Sequence, residues 1–316
     1  MSGMVRTLTG DVSPESLGRT LIHEHLCVDW GEMVGRPKVL DFDCDAMVDR
    51  MVAKMEELHR AGIGAMVECT PVGCGRYLDL FKDVAKRSPV KIVGSTGFFT
   101  EAWCPIHPIA RALDVGGLTD LFVREIREGM GDTLIKAGMI KCATGEGRIS
   151  PKEEQILRAA ARAHRATGCP IITHTTNGLG LEQLDIFESE GVPPQEVIVS
   201  HIGFEPDPLE YSERMLRRGA NVSFDRIGMH QFYPDEHWIG IVGNALRKGY
   251  GDQVMLSHDA AVFVYGLDAA SGENAFDDYT YVPRVFLPRL QQEAGVTDEQ
   301  VSTMLERNPQ RVLAFR

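Results

Sequence analysis

The 316-residue chain has no paired cysteines: its seven, at positions 27, 44, 69, 74, 104, 142 and 169, are odd in number, scattered, and nowhere spaced Cys-x-x-Cys. Neither a disulfide framework nor a zinc ribbon fits them. Cys27, Cys69, Cys142 and Cys169 sit in or beside apolar runs, where a thiol acts as a small hydrophobe. No uninterrupted apolar run reaches the about 18 residues of a membrane span. The opening Met1-Ser2-Gly3-Met4-Val5-Arg6 has no apolar core of the signal-peptide kind, so a cytoplasmic location is expected. Positive charge is short: 33 basic against 45 acidic side chains leave a net charge of −12. Nucleic acid and anionic membrane are therefore not expected partners. A serine-nucleophile elbow is missing, and Gly73-Cys74-Gly75 lacks the third glycine and downstream acid of a dinucleotide fingerprint. Internal repeats and low-complexity segments are absent as well.

What is present is an ordinary globular composition, 43% hydrophobic and 25% charged, able to bury a large core. Length alone suggests about two domains, but single α/β barrels often exceed that prior. Short apolar runs rich in β-branched residues fall at 20–22, 65–67, 90–94, 137–140, 170–172, 196–199, 220–224 and 253–256. Without clean alternation, they read as strands covered on both faces of a parallel sheet. Helical spacing fills 43–61, 77–87, 118–129, 150–167, 181–190, 208–218 and 235–248. Ser150-Pro151-Lys152-Glu153 offers a capping box with proline at the first helical position, and Gly168 a stop. Eight strands alternating with helices, with no linker, predict a single (β/α)8 TIM barrel over 1–316, and an open doubly wound sheet is the runner-up. Residues 281–316 read as helix covering the barrel base, with a segment from Thr297 ending near Asn308-Pro309. Residues 101–117 and 260–281 read as long loops.

Polar residues follow these strands: His23-Glu24-His25, Lys141, His174, His201 and His258-Asp259. In a parallel barrel all of them lie at the C-terminal face, where this fold builds its sites. His23 and His25, two apart in extended chain, share a face and can bind one divalent ion. Taken singly, each histidine is as well explained by ordinary hydrogen bonding. Four at equivalent strand ends exceed what packing demands. Asp259 adds a carboxylate, and imidazole with carboxylate suits zinc or another borderline ion. An ammonium repels cations, so spacing alone reads Lys141 as a salt-bridging lysine. A neutral lysine amine, however, reacts with CO2 to give a carbamate able to bridge two metals.

The pattern His23-Glu24-His25, Lys141, His174, His201 and Asp259 resembles the phosphotriesterase family of the amidohydrolase superfamily. Local contexts strengthen it: Gly18-Arg19-Thr20-Leu21-Ile22-His23, Gly138-Met139-Ile140-Lys141-Cys142, Phe224-Asp225-Arg226 and Leu256-Ser257-His258-Asp259. The resemblance implies a barrel with a binuclear metal site at its C-terminal face. His23, His25 and Asp259 would hold the more buried ion, and His174 and His201 the more exposed one. Lys141, carboxylated, would bridge them together with a hydroxide, and Asp259 would accept the proton during attack. Metal-assisted hydrolysis is the implied reaction, with zinc, manganese, cobalt or iron all suited to these ligands.

Phosphotriesterase-like lactonases are the nearest group within that resemblance. Arg226 stands at their arginine position, either steering a substrate oxygen or pairing with a loop carboxylate. Phe99 stands where they carry a tyrosine near the metals, and it donates no hydrogen bond. Phe98, Phe99, Trp103, Met229 and Phe263 are candidates either for an apolar substrate wall or for ordinary core. The loop after the eighth strand, with Tyr265, Asp268 and Glu273, also departs from the lactonase pattern. A lactonase with slower phosphotriester cleavage is the leading expectation. Related hydrolysis of N-acyl amino acids, carboxylic esters or phosphodiesters is the alternative, and a non-catalytic metal-binding barrel is the reading from another class. The expected partners are a small-molecule substrate and a second copy in a homodimer.

Overall fold

The computed structural model describes residues 3–29, 43–101, 106–176, 178–265 and 276–316. Trp103, Asp268 and Glu273 lie outside the described residues. The described chain opens with a small antiparallel hairpin, β1 (Val5–Thr7) and β2 (Gly10–Val12). Then come β3 (Thr20–Asp29), α1 (Cys44–Arg60), β4 (Ala65–Glu68), α2 (Leu78–Arg87), β5 (Lys91–Gly97), α3 (Pro108–Ala112) and α4 (Val115–Arg127). The series continues with β6 (Met139–Ala143), α5 (Pro151–Thr167), β7 (Ile171–His174), α6 (Gly180–Ser189), β8 (Val197–Ser200) and α7 (Pro208–Arg217). It ends with β9 (Asn221–Phe224), α8 (Asp235–Arg247), β10 (Val254–Leu256), β11 (Ala261–Tyr265), α9 (Leu287–Ala294), α10 (Asp298–Ser302) and α11 (Asn308–Leu313).

All strands from β3 to β11 pair in parallel, in the order β10-β9-β8-β7-β6-β5-β4-β3-β11, which makes the fold a (β/α)8 barrel. The eighth stave is built in two pieces. β10 pairs with β9, and after a break at 257–260 β11 pairs with β3, Ala261 opposite His25 and Phe263 opposite Cys27. Across the break the ring is closed by His23 N–H donating to Ser257 Oγ (2.8 Å), Asp259 N–H to the His23 carbonyl (3.1 Å) and His25 N–H to the Ala260 carbonyl (2.8 Å). The 260–281 segment therefore contains a strand, Ala-Val-Phe-Val-Tyr, where a loop was expected. Its β-branched residues are legible, but the left-handed backbone of Asp259 (φ 59°) divides it from β10.

Side chains inside the barrel are layered. Ile22, Val67, Val93, Met139, Ile172, Ile198 and Met255 fill the interior with Val5, Leu17, Val312 and Leu313 beneath them, so burial plugs the lower end. Two residues further along five of the strands, the same inward alternation presents Cys69, Lys141, His174, Ser200 and Ser257, all buried. On β3 the register against β4 shifts between Leu21 and Glu24, as bulges do when they re-aim side chains at barrel rims. A Cβ on Gly97, at φ 114°, would collide with the Lys141 backbone carbonyl, so only glycine lets β5 approach β6 where Lys141 sits.

The helices start and stop as their end residues dictate. Ser150 and Glu153 form the capping box of α5, and Gly168 closes it in the left-handed conformation at φ 73°. Thr297 and Gln300 form another at α10. The helical run does not end near Asn308-Pro309 as expected but continues to Leu313. A wide turn over Thr303–Arg307, in which Asn308 N–H reaches the Thr303 carbonyl, precedes Pro309, and such turns absorb the hydrogen bond a proline cannot make.

Candidate metal centre

The strand ends bring His23, His201 and Asp259 together, with one ligand atom from each within 4.8 Å of the others. His23 Nε2 and His25 Nε2 lie 3.6 and 3.1 Å from Asp259 Oδ1. The His201 ring packs edge-on against His174 (4.2 Å between centroids) and tilts against His23 (4.6 Å). Lys141, 1% exposed, donates from Nζ to His23 Nε2 at 2.9 Å.

Whether these imidazoles fit a metal turns on which nitrogen each leaves free. Lysine has no acceptor, so His23 accepts at Nε2 and carries its proton on Nδ1. That Nδ1 has no well-aligned acceptor, though Asp225 Oδ2 lies 3.3 Å away. His201 donates from Nδ1 to Asp225 Oδ1 (2.6 Å), which leaves Nε2 free. His174 Nε2 meets Thr176 Oγ1 at 3.0 Å, and this hydroxyl spends its own proton on the Thr144 carbonyl, so His174 donates and keeps Nδ1 free. By the same logic His25 Nδ1 donates to Thr70 Oγ1 (2.8 Å), whose proton goes to the Cys27 carbonyl. Three of the four rings, His25, His174 and His201, are thus tied to oxygen by one nitrogen, and His23 is fixed by Lys141. At His25 a cation would take the place of the proton now shared with Asp259. The donor set of four lone pairs, one carboxylate and one buried amine fits divalent ions of the zinc type.

Electrostatics agree with this. Burial, reinforced by Lys141, pushes the His23 imidazole down to about 3. Burial and the neighbouring His201 take His174 well below its ordinary value, and burial with Arg226 lowers His201. Neutral imidazole is the metal-binding form. Burial also pulls His25 down, but hydrogen bonds to Asp259 and Glu68 outweigh it and lift this ring to about 9. For Asp259 burial works against ionisation, yet His201 and His25 hold its carboxyl well below the usual range.

Arg226 donates from Nε to Asp259 Oδ2 at 3.0 Å, so its partner is the site carboxylate rather than a loop acid. Its guanidinium lies over the rings of Phe204 (5.1 Å) and Phe232 (5.4 Å). Phe99 stands edge-on to His174 at 4.9 Å, at the site. Phe98 packs instead against Phe122 in the core. Phe263 is carried by β11 under the Arg50 guanidinium of α1 (5.0 Å), in the barrel-to-helix layer and not with the histidines, because β11 turns that side chain toward the helix. Asp225, passed over in the sequence beyond its local context, is fully buried and touches both His201 and His23. The available signal was an acid one residue past an apolar strand. Phe204 and Phe232 had none, since isolated loop aromatics look alike.

The phosphotriesterase family model matches residues 3–313. A phosphotriesterase homology protein of Mycobacterium tuberculosis is 36% identical over 98% of this chain and 97% of its own. An aryldialkylphosphatase of Saccharolobus solfataricus is 31% identical over 96% and 98%. Among solved structures, a mutant of a Deinococcus radiodurans PTE-like lactonase superposes with a TM-score of 0.89 at 32% identity, covering 98% of this chain and all of that one.

Proposed function

This chain belongs to the phosphotriesterase family, and from that premise we propose that it is a binuclear metal-dependent hydrolase acting best on lactones, with slower cleavage of phosphotriesters. The observation that carries the reading is the convergence of four imidazoles, three with one nitrogen tied to oxygen and the fourth held by Lys141, on Asp259 and that buried lysine. His23, His25 and Asp259 would hold one ion and His174 and His201 the other, with Lys141 as a carbamate between them. Zinc is the metal we favour, and manganese, cobalt or iron suit the same ligands. Two such ions supply an acidified water and a polarised carbonyl or phosphoryl oxygen.

The chain's own groups do the rest. Asp259 is held ionised, so its carboxylate can take up the proton released as water attacks and pass it to the leaving oxygen. Arg226 restrains Asp259 Oδ2, and its remaining guanidinium edge is positioned by the two phenylalanine faces. Phe99 shields His174 from solvent on one side and offers apolar contact to a substrate.

Metal analysis of loaded protein is expected to find two ions per chain, and fewer than one would overturn the two-ion centre. Lys141→Ala is expected to abolish activity, with partial rescue by a small carboxylate that replaces the bridge, whereas unaltered activity sinks the carbamate. In a panel of aliphatic lactones, acyl homoserine lactones, N-acetyl amino acids, aryl esters and triesters, lactones should give the highest kcat/KM. Lactones ranking last would refute the substrate assignment.

A further inference from the structure

Asp225 stands one residue beyond β9, fully buried among the site histidines. Its two oxygens face two different rings. Oδ1 accepts from Nδ1 of His201 at 2.6 Å, while Oδ2 accepts from the His201 backbone N–H at 3.2 Å and lies 3.3 Å from Nδ1 of His23. In the two-ion reading above, on which this inference rests, His23 belongs to one ion and His201 to the other. The two rings approach each other to 4.6 Å between centroids, and the carboxylate spans them from behind.

We propose that Asp225 is a positioning residue shared by both halves of the centre, fixing the proton on Nδ1 of His201 and facing with its other oxygen the Nδ1–H that Lys141 sets on His23, so that both rings turn Nε2 inward and the two ion sites are coupled. A neutral imidazole carries one proton and places it on whichever nitrogen meets an acceptor. A carboxylate accepts at both oxygens and donates at neither, so it suits the same tautomer in two rings at once. A cation on either Nε2 makes the opposite N–H a stronger donor and draws Asp225 toward it. The second histidine then finds its acceptor already fixed, which is the coupling.

The test uses the full-length protein and zinc. Removing an outer-shell partner typically costs about 10–100-fold in metal affinity. Asp225→Ala leaves neither ring an acceptor, and chelator competition should show both zinc ions weakened within that range. Because that variant leaves the backbone and ring N–H groups of His201 without a partner and can fail to fold, Asp225→Asn supplies a second measurement. The His201 backbone N–H and the lysine-fixed Nδ1–H of His23 both call for the single amide oxygen on the Oδ2 side, so the amide NH2 faces Nδ1 of His201. Long-range proton–nitrogen spectra of 15N-histidine-labelled, chelator-treated protein should show both rings as Nδ1–H in the parent. In Asp225→Asn His201, which no lysine holds, should become Nε2–H, and the zinc ion assigned to it should be released selectively. A purely space-filling role for Asp225 would move neither signal. Unchanged tautomers in Asp225→Asn, or loss of a single ion in a folded Asp225→Ala, overturns the proposal. If the parent binds no zinc, the two-ion reading fails on its own, and the tautomer spectra still decide what Asp225 does.

Discussion

His201, Arg226 and Asp259 have left-handed backbone, at φ 62°, 62° and 59°, and they are the non-glycine residues among those described that do so. Each conformation costs an L-residue about 1–2 kcal/mol, and strain of this kind collects where a site needs a side chain held in one place. At 201 and 259 it turns the imidazole and the carboxylate inward just past their strands. At 226 it carries the guanidinium back to Asp259. Asparagine tolerates this backbone better than arginine, so Arg226→Asn separates strain from function. Its melting temperature should stay level or rise, while kcat/KM falls about tenfold or more because Asp259 loses a charged partner. Parallel losses in stability and activity would show that Arg226 is there for folding.

At the scale of elements, a buried ion pair ties α4 to the barrel. Glu125 receives both Nη groups of Arg76 (2.7 and 2.9 Å), the Thr96 hydroxyl of β5 (2.5 Å) and the Gly131 N–H. Burial disfavours its charge, but Arg76 and Thr96 prevail and hold the carboxyl below its ordinary value. A carboxyl lowered in the fold contributes stability that is complete above its unfolded value and fades as pH falls through the folded one. Glu125→Gln leaves Arg76 buried and uncompensated, a loss of about 3–5 kcal/mol near neutral pH. In urea titrations the gap between parent and variant should narrow below about pH 4.5, and a constant gap would assign the effect to packing alone. Other elements are legible in the sequence itself. Ser150, Glu153 and Gly168 bracket α5 through chemistry that lies within a few residues in sequence. Phe263 and Asp225 were not, because which face of a strand meets a helix and which acid meets a distant ring are settled by tertiary packing. The division of the eighth stave escaped for the same reason, since it depends on β3 pairing with a strand 236 residues further along.

For the whole molecule, the site joins the upper ends of staves whose lower parts enclose the packed core. His23 and His25 come from β3, Lys141 from β6, His174 from β7, His201 follows β8, and Asp259 lies between the two pieces of the last stave. An ion bound there stabilises the folded state by mass action, about 4 kcal/mol when free metal exceeds Kd a thousandfold. Zinc addition should therefore raise the melting temperature of chelator-treated protein, in step with activity. A melting temperature indifferent to metal would mean that the ions do not link the staves.

The two-piece last stave also bears on how the chain is made. β3 closes the ring against residues 257–265, and at about 5–20 residues per second a ribosome delivers that partner roughly 10–50 s after β3 emerges. Through that interval the first stave presents an unpaired, apolar margin of the kind that recruits neighbouring chains. Biogenesis rather than equilibrium stability then becomes the vulnerable stage. The yield of soluble protein should depend on how quickly translation reaches Tyr265.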